Sequence, residues 1–174
     1  MDRPSRALVG ALRAAGAFLQ RAPRAWAALA AAAWMGAIRL VSSLPGASLG
    51  RAPGLGYVYN LGHAFLYGVL AACWILVLPR ERGWPRLGAR EASLVLALTL
   101  AYAVLDERLQ RAVPGRSSSG WDLLTDAAGA ASMLLVVRHV GAERARDAGL
   151  AARVALGLAA CAAAAALATW PPVA

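Results

Sequence analysis

Seven polar side chains at helical spacing interrupt a largely apolar chain: His63 and Tyr67, Asp106 with Glu107 and Gln110, and Asp122 with Asp126. Residues four apart share a helix face, so His63/Tyr67, Asp106/Gln110 and Asp122/Asp126 each form one patch. A histidine beside carboxylates can exchange protons near neutral pH, the chemistry of a general acid–base pair. The Pro114-Gly115-Arg116 element adds a guanidinium suited to phosphate, on a turn able to aim it back towards the helices. His63, Asp106, Glu107 and Asp122 are therefore the candidate catalytic set, with Tyr67, Gln110, Arg116 and Asp126 as candidate binding residues. Two other uses stay open. The acids could simply pair with Arg108, Arg111, Arg116 or His63 and fasten helices, or the carboxylates, amide and imidazole could hold a divalent ion. No ligand spacing singles out a metal, and the sequence names no cofactor.

The elements that must position these groups follow from the apolar pattern. Of the 174 residues 60% are hydrophobic, and mean hydropathy is +0.55. The apolar residues come in blocks, at 25–41, 58–78, 92–105, 127–137 and 150–170, rather than in amphipathic stripes. Blocks of about 20 residues read as membrane-spanning helices. Ala and Leu dominate, and lipid admits only helices or closed barrels. The expectation is an all-α, polytopic membrane bundle of about five spans, a four-helix core plus a C-terminal helix.

Two blocks are too short. Crossing about 30 Å of hydrocarbon takes about 20 helical residues. The third block has 14 and the fourth 11. Span three is therefore expected to continue through Asp106, Glu107 and Gln110, and span four to begin near Trp121 and include Asp122 and Asp126. Span two, starting near Tyr57, carries Asn60 and His63 in its first turns. Asp122 and Asp126 share their face with Gly129, where a small residue permits close helix approach.

The net charge of +9 would point to nucleic acid in a soluble protein. Here the arginines sit between spans, so no nucleic-acid partner is expected and membrane lipids are. Thirteen arginines fall in the N-terminal segment and in the connectors 79–90 and 138–153, against five in the alternate connectors. That asymmetry predicts a cytoplasmic N-terminus and puts the polar cluster at the outer face. Residues 1–24 form a basic cytoplasmic segment, read either as a cationic helix on the inner leaflet or as a solvated tail. Residues 25–140 form the core, and 141–174 a solvated connector with the last helix. Arg39 is near enough to the end of span one to snorkel outward, and Trp84 reads as an interfacial anchor. Cys73 and Cys161 lie inside spans and form no disulfide framework.

Order and spacing of the polar residues resemble a known family. His63-Ala-Phe-Leu-Tyr67, Asp106-Glu107-Arg-Leu-Gln110, Pro114-Gly115-Arg116 and Asp122-Leu-Leu-Thr-Asp126-Ala-Ala-Gly129 are similar to the His/Tyr, DE-x-x-Q, PGR and Asp-to-Asn/Gly elements of the VanZ-like membrane proteins. The resemblance covers about residues 35–140. Tyr59-Asn60 replaces an Asp-Lys pair common before the family's His, and Asp126 stands where Asn is usual. The resemblance implies a bacterial cell-envelope protein, and the namesake members are associated with reduced susceptibility to the glycopeptide teicoplanin. It implies no reaction. The leading expectation is a cluster that engages a lipid or lipid-linked envelope precursor. The alternative is a non-catalytic scaffold. A small transporter comes last, because few polar residues lie near the midplane.

Overall fold

The computed structural model describes residues 5–44, 54–78, 83–85, 87–114 and 120–170, all of whose regular structure is helical. Six helices follow in order: α1 (Ala7–Leu19), α2 (Arg24–Ser42), α3 (Leu55–Val77), α4 (Ala89–Gln110), α5 (Gly120–Gly141) and α6 (Asp147–Thr169). The length argument for the polar residues holds. α4 runs unbroken to Gln110, and α5 opens at Gly120, so the acids lie within helices rather than in a loop.

The helical membrane bundle expected from the apolar blocks is what the chain forms. α2, α3, α5 and α6 are each long and apolar enough to cross a membrane. α4 matches them in length, about 33 Å at 1.5 Å per residue. Its charges at Arg90, Glu91, Asp106, Glu107 and Arg108 leave it less apolar than those four.

α3 and α5 form the centre, with α6 packed on α5 and α2 on α3, while α4 closes against both central helices. Lipid supplies no hydrophobic drive between spans, so small residues and interhelical hydrogen bonds must hold them. Gly129 of α5 lies against the backbone of Ala64 in α3, and Gly68 faces the Gly129 carbonyl. Ala71, Ile75, Val95, Ala130, Leu134 and Val137 fill one core among α3, α4 and α5. A second, of Ile38, Tyr67, Leu70 and Ala103, joins α2 to α3 and α4. Two polar ties run beside it. Trp34 Nε1 donates to the Leu66 carbonyl at 2.8 Å, and the Tyr102 hydroxyl donates to the Met35 carbonyl.

Of the two expectations for the N-terminal segment, a helix and a solvated tail, residues 7–19 take the helix. α1 also docks on the bundle, with Val9 buried against Val140, Ala145 and Leu150. Asp147, the first residue of α6, accepts from the Val9 amide at 3.0 Å, the Leu8 amide at 3.3 Å and the Ser5 hydroxyl at 2.6 Å. It thus supplies the acceptors that the first helical amides lack within their own helix. In return, Arg13 donates to the Val140 and Ala142 carbonyls at the end of α5. The expected solvated connector therefore contributes a helix cap at Asp147, while Glu143, Arg144 and Arg146 are exposed. Leu8, Leu12, Phe18 and Leu19 point away from the bundle. Trp84 is more than an interfacial anchor: its Nε1 donates to the Val137 carbonyl at 2.9 Å, and its indole occupies the space where a side chain on Gly16 would go.

Candidate functional site

The C-terminal ends of α2 and α4 and the N-terminal ends of α3 and α5 lie at one end of the bundle, and the polar residues collect there in two groups. The first joins α3 to α5. Gly129 has no side chain, so the two helices approach closely one turn from Asp126, which reaches across to His63. His63 Nδ1 lies 3.1 Å from Asp126 Oδ1. The Asp126 side chain is buried and the imidazole keeps 14% of its exposure. One turn deeper, the Tyr67 ring stacks on the imidazole at 6.3 Å between centroids and 13° between planes. Glu107 and Asp122 are half-buried and close enough to Asp126 to act on its charge.

The second group joins α2 to α4. Asp106 is fully buried, and its Oδ2 accepts from the Ser42 hydroxyl at 2.6 Å and from Gln110 Nε2 at 2.9 Å. Gln110 Nε2 also reaches Ser42 Oγ at 3.3 Å. Arg39 Nη1 stands 3.5 Å from Asp106 Oδ1, an ion pair in which neither atom makes a hydrogen bond to a described residue. About a third of the Arg39 side chain stays exposed. Tyr67 and Tyr102, with ring centroids 6.3 Å apart, lie between the two groups.

Set against the candidate residues, the structure brings His63, Tyr67 and Asp126 together, and separately Asp106 and Gln110. Glu107 and Asp122 border the first group. Arg116 lies outside the described residues. Arg39 and Ser42 are the residues that sequence reasoning missed as partners of Asp106. A signal for them existed: spans one and three end on the same side of the bundle, so the last turn of α2 is level with Asp106. The outward snorkelling expected of Arg39 describes only its exposed part. Among the described residues, no three His, Cys, Asp or Glu side chains gather as a metal ion would need.

The VanZ/LLP1 family model matches residues 17–141, which takes in α2 to α5 and every residue of both polar groups. The chain belongs to the VanZ/LLP1 family. The match starts upstream of the resemblance read from the sequence, within α1, and ends at the last residue of α5. α6 lies outside the matched residues, though it packs on α5 as extensively as α3 does. No curated protein and no solved structure matches the chain significantly.

Proposed function

We propose that this VanZ/LLP1 protein is a multi-pass component of the bacterial cell envelope that engages the head group of a lipid or lipid-linked envelope precursor at the His63 end of the bundle, and so changes susceptibility to teicoplanin-type glycopeptides. Family membership supports the membrane setting and the link to glycopeptides. The observation that carries ligand engagement is the His63–Asp126 pair. A buried carboxylate fixes the orientation of an imidazole that remains partly open at the bundle end. Asp126 holds the ring by Nδ1, and histidine is the side chain best suited to proton exchange near neutral pH. The exposed part of Arg39 adds a guanidinium for an anionic head group.

Susceptibility to teicoplanin in a strain lacking its own family member tests this. His63→Asn and Asp126→Ala should abolish the susceptibility change while wild-type amounts of protein remain in the membrane. An unaltered susceptibility change in His63→Asn would reject the site. Loss of the protein from the membrane in both variants would favour the second reading, a scaffold whose polar groups only fasten helices. That reading draws on Asp106, whose contacts are supplied by α2 and α4 themselves.

The arginine asymmetry supports an orientation with the N-terminus in the cytoplasm and the His63 end outside. Reporter fusions after Arg86 should then read cytoplasmic, and fusions after Ser118 extracytoplasmic. The reverse pattern would turn the site to the cytoplasm and remove any envelope precursor on the outer face from consideration.

A further inference from the structure

A groove on the opposite side of α3 from α2 holds a cavity of about 340 Å³. α3 and α6 form its rails and α5 its floor. The rails are pinned together at the His63 end, where Tyr57 stacks on Trp170 at 6.0 Å and Asn60 donates to Thr169 Oγ1 at 3.0 Å. From there the groove runs towards the α1 end, reaching Leu61 to Val69 on α3 and Cys161 to Arg153 on α6. Gly68, Gly129 and Gly157 let the three helices approach closely along it, and Ser132 turns its hydroxyl onto the Ala128 carbonyl of its own helix. The wall is otherwise apolar until Arg153, which stands at the α1 end.

We infer that this groove seats one acyl chain of an anionic phospholipid whose head group is held by Arg153. Shape favours a chain over a helix. Each rail covers nine residues, eight helical steps or about 12 Å, so 340 Å³ corresponds to a cross-section of about 28 Å². A helix with its side chains is about 10 Å across, roughly 80 Å². Charge favours an anionic lipid. Arg153 is half-buried and donates from Nη1 to the Gly149 carbonyl of its own helix, which points the guanidinium along α6 towards the membrane–water boundary. Asp147, the acid nearest along α6, is already committed to the amides of α1. Arg13 is likewise committed to carbonyls of α5, so Arg153 is the cation that lines the groove. Exposed Phe65 and Leu158 flank the opening, so a chain can enter sideways from the bilayer.

Native mass spectrometry of the full-length protein in detergent, with phosphatidylglycerol or phosphatidylcholine of identical chains, tests the assignment. Wild type should retain one phosphatidylglycerol per chain and little phosphatidylcholine, and inorganic phosphate should not displace it. Arg153→Gln should erase the preference between the two lipids. Val154→Trp, which fills the groove, should abolish retention of both, while Arg138→Gln, an exposed change outside the groove, should behave as wild type. Helical melting curves confirm that each variant is folded, and Arg153→Gln stands alone if Val154→Trp is not. Equal retention of the two lipids by wild type, a preference that survives Arg153→Gln, or a lipid-free dimer would each overturn the proposal. None of these outcomes depends on His63 or Asp126.

Discussion

Gly129→Ala is expected to be the most damaging single-methyl change in the protein, costing about 3 kcal/mol or preventing the bundle from forming. The added Cβ would fall on the Ala64 carbonyl oxygen and within 2.6 Å of its carbonyl carbon. Both are backbone atoms of α3, so no rotamer change can relieve the clash. The helices would have to separate, and the His63–Asp126 contact one turn away would open with them. Gly68→Ala is the informative comparison. Its Cβ would meet the Gly129 carbonyl at 3.3 Å, which a shift of a few tenths of an ångström accommodates. Thermal melts followed by circular dichroism should separate the two variants clearly. Equal melting of Gly129→Ala and wild type would mean that α3 and α5 do not cross here.

Asp106→Ala should cost about 3–5 kcal/mol, because it strands partners that only Asp106 completes. Ser42 and Gln110 lose an acceptor and Arg39 its counter-charge at once. Ser42→Ala removes two hydrogen bonds, the one from Gln110 long at 3.3 Å, and should cost only about 1 kcal/mol, the usual scale inside a membrane. Arg39→Ala combined with Asp106→Ala should be less harmful than the two separate losses together, since removing both charges leaves none buried without a partner. A double-mutant cycle on detergent-solubilised protein measures that coupling. Simple additivity would show that the 3.5 Å pair contributes nothing to holding α2 against α4.

The sequence made the helices and the depth of their polar residues legible because membrane spans obey a length rule. A 14-residue apolar block cannot cross lipid, so α4 had to absorb Asp106, Glu107 and Gln110. Gly129 was legible as a point of close approach, since it shares a face with Asp122 and Asp126. The division of the site into two groups was not. Periodicity places residues on a face but does not say which neighbouring helix that face meets, and so it could not tell that Asp106 turns to α2 while Asp126 turns to α3. The docking of α1 was hidden for a further reason. Arg13 binds backbone carbonyls of α5 that become available only where that helix ends, and no pattern of side chains records them.

The mutual capping between the two ends of the chain also bears on the order of biogenesis. The Val9 amide is satisfied by a carboxylate 138 residues further along. Synthesis proceeds from the N-terminus, and helices can pair as they emerge. α1 is therefore made before α2 to α6 but capped only once the start of α6 has been made. Until Asp147 has left the ribosome, α1 lacks its cap. α1 thus works as a latch, thrown only after α2 to α5 have been made and α6 has begun to follow them.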